Sequence, residues 1–225
     1  MCRLINKTTL ILYTLLMLTT HMQAQYNKKA DREERLILGV RMGGGIITTE
    51  VENSLVGNES DFLVHEIQFK SADPIWTAGL YAHKKAGYLF YQGNLSLTTY
   101  GVNYNVKSYD NRKFPSEMSE RFYYTDLHLM GGLMIEKVRI GVGPMIHILL
   151  HDESELEIIP EYSNRIKSHT FGFVIGAGYN VKNVFLDLKF ENSFRTVGDH
   201  IYYGDIKSSF KGTPSNLIFS AAYCF

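Results

Sequence analysis

Residues 171–194 read FGFVIGAGYNVKNVFLDLKFENSF, and this stretch decides the fold. Large apolar side chains occupy every second position on both sides of a turn predicted at Asn180–Asn183. A helix would repeat its apolar positions about every 3.6 residues, whereas a strand repeats them every two. The stretch therefore predicts two antiparallel strands joined by a tight turn.

The same alternation recurs along the chain and predicts eight strands, each near the roughly 10 residues that a strand needs to cross a membrane. They begin near Leu36, Trp76, Leu89, Tyr123, Val138, Phe171, Val184 and Leu217. Short turns alternate with long polar loops between them, such as residues 103–120, which is typical of an outer-membrane barrel with both termini in the periplasm. Residues 62–69 also look strand-like. We interpret them as an extension above the membrane, because a ninth strand would place the termini on opposite sides.

The chemistry of the two strand faces indicates which one points outward. A soluble ligand carrier would carry polar groups outside, whereas a membrane barrel carries them inside. Here the polar face is rich in glycine, which suits the narrow interior of an eight-stranded barrel, and the opposite face carries no charge. Lipid contact explains that absence. The prediction is an all-β fold, an eight-stranded antiparallel up-and-down transmembrane β-barrel over residues 36–225.

The N-terminus predicts export. Residues 1–24 combine a short basic start, the apolar run LILYTLLML (10–18) and a small residue, Ala24, at the expected cleavage point, as in a secretory signal peptide. Residues 25–35 form a charged periplasmic tail. The 225 residues contain 23 Lys+Arg and 23 Asp+Glu, so the zero net charge gives no sign of nucleic-acid binding. The predicted location is the outer membrane of a Gram-negative-type cell.

The polar face predicts a charge network inside the barrel. Buried charges need partners, and the near balance of signs favours a filled lumen over an open pore. Asp126 and His128 lie on one strand face and could pair with His147 on the next strand, as lumen packing or as a proton-active or metal site. The complete predicted network is Arg41, Asp126, His128, Arg139, His147, Asp187, Lys189, Glu191 and Arg195.

The C-terminus is the most specific motif. The chain ends on Phe225, with Tyr223 and Phe219 on the same face, and so resembles outer-membrane barrels whose last aromatic residue is recognised by the barrel-assembly machinery. The sequences that carry a closer resemblance are FGFVIGAGYNV (171–181), VFLDLKFENSF (184–194), IGVGPMIHILL (140–150) and LIFSAAYCF (217–225). They resemble the PorT-like outer-membrane β-barrel domain family. That resemblance implies contact with outer-membrane lipids and a role in protein secretion, with secretion-system proteins as partners.

The residues predict no catalytic group, cofactor or metal. No histidine lies beside a serine on the lipid face with a carboxylate behind it, which a lipid-modifying enzyme would need. The acidic loop 152–161 has carboxylates that could bind calcium but lacks the spacing of a known calcium loop. Pro144 predicts a bulge, because proline removes a ladder hydrogen bond. We expect a non-enzymatic barrel that anchors loops or contacts partners; the alternatives are a lipid-modifying enzyme and a narrow solute pore.

Overall fold

Eight antiparallel strands close into a ring in the computed structural model. The structure describes residues 35–48, 54–58, 61–108, 115–159, 162–164, 166, 168–194, 201–203, 206–207 and 215–225. The ring consists of β1 (Leu36–Ile47), β4 (Ile75–Ala86), β5 (Leu89–Ser108), β6 (Glu117–Ile135), β7 (Val138–Ser154), β9 (His169–Val181), β10 (Val184–Ser193) and β13 (Ser215–Cys224). The predicted leader, residues 1–24, lies outside the described residues, as does all of the predicted tail, 25–35, except Arg35.

The barrel closes because the first and last strands pair. Within the ring, each strand pairs with the ring strand that follows it along the chain. Strand β1 pairs with β4 on one side and with β13 on the other. Every pairing in the ring is antiparallel, and Val40 lies opposite Tyr223 at the closing seam. This confirms the predicted eight-stranded up-and-down barrel. Closure leaves no open edge on the ring, so all the ring strands have two partners.

Three two-residue turns join the strands at one end of the barrel. They are Gly87–Tyr88, Glu136–Lys137 and Lys182–Asn183, and the first residue of each has a positive φ: 62°, 52° and 54°. Glycine takes that conformation without steric cost, whereas Glu136 and Lys182 have a Cβ that disfavours it. The start of β1 and the end of β13 lie at this same end, since the backbone N–H of Cys224 donates to the carbonyl of Asn183 in the third turn and that of Phe225 donates to the carbonyl of Leu38.

At the end of the barrel opposite the short turns, the strands are longer than the sequence pattern predicts. Strands β5, β6 and β7 contain 20, 19 and 17 residues, so residues interpreted as loop, such as those just after Asn103, belong to strands. The short β2 (Ser54–Asn58) pairs with β3 (Asp61–Ala72), and β3 pairs with the upper part of β5. The strand-like stretch 62–69 is therefore within β3. It continues the path of β4 alongside β5 and adds no strand to the ring.

These lengthened strands form an extension with its own apolar core, which we call the extension core. A 3₁₀ helix (Glu155–Ile158) and β8 (Tyr162–Asn164) contribute to it, and β8 also pairs with β11 (Ile201–Tyr203), which pairs with β12 (Ile206–Lys207). The buried members are Ile67, Val102, Tyr104, Val106, Met118, Phe122, Leu156 and Ile159. Apolar burial of this kind gives the extension a fixed shape.

The bulge predicted at Pro144 is wrong. The register between β6 and β7 is the same on both sides of Pro144, where His128 pairs with Met145 and Gly131 pairs with Val142. The register shifts instead between Tyr123 and Tyr124. Proline lacks one N–H, and here the ladder omits its pairing with β6 without inserting an extra residue. In the part of the chain that is described, no helix is long and apolar enough to cross a membrane.

Candidate functional site

The two faces of the ring differ in exposure as well as in chemistry. The described strands expose many large apolar side chains, including Met42, Leu129 and Ile140, whose exposed fractions are 69%, 54% and 62%. Polar side chains at the alternate positions of these strands, such as Gln92, Asn94 and Ser220, are buried in the interior. Of the nine residues of the predicted network, Arg195 lies outside the described residues. The other eight are Arg41, Asp126, His128, Arg139, His147, Asp187, Lys189 and Glu191, and all point into the barrel.

An ion pair between Arg139 and Asp187 lies in the half of the lumen nearer the short turns. The Arg139 Nη2 to Asp187 Oδ1 distance is 2.6 Å, and both residues are buried. Arg139 also donates to the Tyr81 hydroxyl at 2.6 Å, and its guanidinium lies 4.7 Å from the centre of the Phe185 ring. The Gln92 amide donates to the second Asp187 oxygen at 3.3 Å. Arg139 therefore combines a charge-assisted hydrogen bond with a cation–π contact.

Gly178 leaves the space that this ion pair occupies. It lies between Arg139 on β7 and Asp187 on β10 as their direct neighbour in the ladder. A Cβ added at Gly178 would collide with the Asp187 carboxylate and the Arg139 guanidinium. The glycine at this position thus has a steric cause. Because β9 has no side chain at Gly178, the two long charged side chains of Arg139 and Asp187 can meet across it.

Asp126 and His147 meet across neighbouring strands. They are direct partners in the β6–β7 ladder, and the His147 Nδ1 to Asp126 Oδ1 distance is 2.6 Å. His128 lies two residues further along β6, with its Nε2 3.5 Å from Glu191 Oε1. The sequence predicts the first of these contacts from strand parity. The described residues contain no cluster of three or more His, Cys, Asp or Glu side chains that could hold a metal.

Arg41 and Lys189 differ from the other lumen charges. Both are buried, with 3% and 1% of their surface exposed, and none of their side-chain nitrogens has a hydrogen-bond partner within the described chain. The ion pairs of the described residues include neither of them. Burying a charge without a partner is costly, so these two groups are the unexplained part of the interior.

A second polar cluster, centred on Glu120, lies in the extension. Glu120 is 1% exposed, and its carboxylate accepts hydrogen bonds from Tyr162 at 2.7 Å, Ser154 at 2.8 Å and Tyr104 at 3.0 Å. Burial and the nearby Glu120 carboxylate raise the pKa of Tyr104 and of Tyr162 above the ordinary value. The sequence pattern instead predicts a loop over residues 103–120, which ends at Glu120. The missed signal is parity, since Met118, Glu120 and Phe122 continue the inward alternation of Asp126.

The structure also includes the predicted assembly residues and most of the acidic segment. Phe219, Tyr223 and Phe225 point outward, with exposed fractions of 56%, 56% and 40%. In the segment 152–161, residues 152–158 form the end of β7 and the 3₁₀ helix, and residues 160–161 lie outside the described residues. Glu155 accepts hydrogen bonds from the backbone N–H and the hydroxyl of Ser119, at 2.7 and 3.0 Å.

A polar, charge-bearing interior and an apolar exterior define the class of this protein as an eight-stranded up-and-down β-barrel. The solved structures that are similar to it include the following two. One is the crystal structure of the outer membrane protein OprG from Pseudomonas aeruginosa, with 12% identity, coverage of 84% of this chain and 95% of that chain, and a TM-score of 0.49. The other is the translocator domain of the autotransporter NalP from Neisseria meningitidis, with 10% identity, coverage of 98% of each chain and a TM-score of 0.36. No protein-family model and no curated protein matches the sequence.

Proposed function

We propose that this chain is an integral outer-membrane β-barrel protein with a structural, non-enzymatic role. One observation carries the proposal: the outer surface of the closed ring is apolar and uncharged between its two ends. On β6, for example, every outward position from Tyr123 to Ile135 is uncharged, and the nearest outward charge is Arg121 on the extension. A lipid environment favours such a surface, because Arg or Lys at the bilayer midplane costs about 2–4 kcal/mol.

The arrangement opposes a soluble carrier. A carrier keeps apolar groups in its cavity and charges on its surface, whereas here the buried positions hold Arg139, Lys189 and Glu191. Exposed apolar patches on soluble monomers rarely exceed a few hundred Å². The exposed apolar side chains of this barrel instead extend around the whole ring, as Val40, Leu95, Ile140 and Leu188 illustrate on four different strands.

Two features support the outer membrane and the orientation of the chain. The predicted export leader would deliver the protein to the envelope, where closed barrels insert. Short turns are typical of the periplasmic side of bacterial barrels, and here the start of β1 and the end of β13 lie beside the three short turns. We therefore place the start of β1 and the end of β13 in the periplasm and the extension outside the cell.

The role that we propose is scaffolding, in which the barrel anchors the extension or a periplasmic contact for a partner. The extension supports this because its buried core holds an ordered surface above the ring. Its outer side carries ion pairs such as Lys70–Glu117 at 2.5 Å and Arg121–Asp73 at 3.6 Å, as a surface in water would. The PorT-like resemblance suggests a secretion apparatus as the partner. Barrel-assembly machinery would recognise the outward Phe219, Tyr223 and Phe225.

The alternative function is a lipid-modifying enzyme, and one hydrogen bond on the rim bears on it. Ser168 and His169 hydrogen-bond at 3.2 Å on the exposed rim, but they are sequence neighbours, and no described carboxylate contacts His169. A hydrolase would need a base oriented by a third group. Turnover of lipid by the purified barrel, abolished by Ser168→Ala, would support the enzyme and contradict the structural role.

The proposal is tested by gel mobility and extraction. The protein refolded in detergent should migrate faster unheated than boiled, because a closed barrel resists denaturation by the gel detergent. It should also remain with the outer-membrane fraction of expressing cells after a high-salt wash. A protein that stays soluble without detergent and migrates identically with and without boiling would contradict the membrane barrel. Cross-linking in intact cells, followed by identification of the captured proteins, tests the scaffolding role.

A further inference from the structure

The end of the barrel with the short turns carries a concentrated positive charge. Basic side chains lie at or beside all three turns and at the start of β1, and all are exposed except the half-buried Lys85. Glu136 is the one acidic side chain among the described residues at these positions, so five positive charges face one negative charge and leave a net of four. We call the five basic residues the basic rim: Arg35, Lys84, Lys85, Lys137 and Lys182.

The basic rim has no carboxylate partners within the described chain, because none of the ion pairs found there includes any of its five residues. The extension differs, since Lys70, Lys107 and Arg121 each make an ion pair with a carboxylate. Acidic side chains also outnumber these three basic ones there: Glu66, Asp73, Glu117, Glu120, Asp152, Glu153, Glu155 and Glu157. The positive charge of the basic rim is therefore available to a partner outside the chain.

The basic residues are distributed around the whole ring. Arg35 precedes β1, Lys84 and Lys85 lie at the end of β4, and the other two lie in the β6–β7 and β9–β10 turns. A positive charge thus recurs about every two strands. A protein docked on one side would meet only part of this distribution, whereas a membrane leaflet meets all of it.

Tyrosines lie at the same level on the outer face. Lys84 pairs in the ladder with Tyr91. The first residue after the β6–β7 turn pairs with Tyr179, and the first residue of β10 pairs with Tyr223. These tyrosines point outward, with exposed fractions of 56%, 46% and 56%. Tyrosine is enriched at the level of lipid headgroups, and lysine extends its ammonium from an apolar surface toward the same level. The basic rim is therefore at the depth of the lipid phosphates.

We propose that the basic rim binds the headgroups of anionic phospholipids, of the class of phosphatidylglycerol, in the leaflet that faces the periplasm. This inference rests on the membrane barrel proposed above and adds the class of lipid that the barrel selects. Zwitterionic headgroups also contain a phosphate, but their own ammonium cancels its charge. An anionic leaflet attracts each nearby lysine or arginine by roughly a fivefold factor in binding, and salt screens that attraction.

The test is lipid selectivity measured by electron spin resonance. The barrel is refolded in phosphatidylcholine vesicles that contain a trace of either phosphatidylglycerol or phosphatidylcholine, each spin-labelled on its acyl chain. The motionally restricted fraction reports the lipid in contact with the protein. At low salt we expect phosphatidylglycerol to associate about twofold or more better than phosphatidylcholine, with the ratio approaching one at high salt.

Two double variants locate the site. Lys84→Gln with Lys137→Gln removes two charges from the basic rim and should lower the ratio toward one. Lys70→Gln with Lys107→Gln removes two charges from the extension and is the matched control, which should keep the wild-type ratio.

The outcomes separate this proposal from the membrane barrel on which it rests. Equal restricted fractions for the two lipids in the wild-type protein at low salt would overturn the lipid preference and leave the membrane barrel standing. A preference lost in the extension variant and kept in the basic-rim variant would overturn the assignment as well. No restricted fraction for either lipid would contradict the membrane barrel itself.

Discussion

A charge placed on the outer face should destabilise the barrel by an amount that depends on its depth in the membrane. Leu188 lies in the middle of β10, points outward with 49% of its surface exposed, and pairs with Phe219 and Ala177. Val184 lies on the same face of the same strand, beside the Lys182–Asn183 turn. A strand rises about 3.3 Å per residue and tilts by about 40°, so the four-residue step from Val184 to Leu188 spans roughly 10 Å of depth.

That depth difference sets the magnitude. The apolar band of a membrane barrel is about 25 Å tall, so Leu188 lies near its middle when Val184 lies near the interface. We expect Leu188→Arg to lower the free energy of unfolding by about 2–4 kcal/mol and Val184→Arg to lower it by about 0–1 kcal/mol. The larger effect corresponds to a change of roughly 30-fold to 1000-fold in the folding equilibrium.

The measurement is reversible denaturant unfolding in phospholipid vesicles, followed by gel mobility of unheated samples. Leu188→Gln serves as a control that is polar without charge. Equal effects of Arg at the two positions, or stabilisation by Arg at Leu188, would refute the reasoning, because a surface facing water has no depth gradient and tolerates arginine.

Four further predictions concern the interior, the extension and a turn. Replacing Asp187 by Asn should destabilise the barrel by about 3–5 kcal/mol, because it leaves Arg139 buried and unpaired. The double variant Arg139→Met with Asp187→Leu should recover much of that loss in the same unfolding assay. A double variant as unstable as the single one would contradict this. Glu120→Ala should increase proteolysis of the extension without changing heat-modified mobility, since it leaves the hydroxyls of Tyr104, Ser154 and Tyr162 without their acceptor, at about 1–3 kcal/mol. The pKa values of Tyr104 and Tyr162 are raised in the folded protein. Their contribution to stability is therefore complete below the pKa of about 10 of an unfolded tyrosine and is lost as the pH rises through the folded pKa. The wild-type extension should accordingly become protease-sensitive only in strong alkali. Lys182→Gly should raise stability by about 1 kcal/mol, because φ is 54° at that position, and no gain in the unfolding midpoint would mean that the turn is not strained.

The barrel could be predicted from the sequence because its signal is local. The parity of residues such as Leu186, Leu188 and Phe190 repeats within each strand, and a side chain that faces lipid must be apolar whatever its neighbours are. The pairing of Asp126 with His147 was also accessible, since adjacent strands joined by a two-residue turn have their register determined by that turn. Local pattern and turn geometry together define the ring.

The extension and the ends of its strands could not be predicted in the same way. Above the ring, the outward residues face water, so polar groups such as Lys107 and Arg121 interrupt the apolar alternation and the segment looks like a loop. Glu120 falls in a predicted loop, although its hydrogen-bond partners Tyr162 and Tyr104, which come from two other segments, hold it within β6. Contacts of this kind depend on how distant parts of the chain fold together, and the alternation along a single strand cannot predict them.

The distinction between Arg139 and Arg41 was equally hidden. Both are lone arginines on an inward face rich in glycine. Only the structure shows that Gly178 lets Arg139 reach Asp187, whereas Arg41 reaches no described carboxylate. The pairing of a buried charge depends on distances across the lumen, which alternation along a strand does not specify.

The most direct test of the membrane barrel uses Trp76, the single tryptophan of the chain. Trp76 points outward near the start of β4, at the end of the ring next to the extension, with 65% of its surface exposed. In vesicles, its fluorescence should be quenched by lipids brominated near the headgroup more than by lipids brominated deep in the chain. A tryptophan moved inside, in the double variant Trp76→Phe with Phe90→Trp, should escape lipid quenching because Phe90 is 1% exposed. Quenching of Trp76 by aqueous iodide and not by brominated lipid would contradict the account.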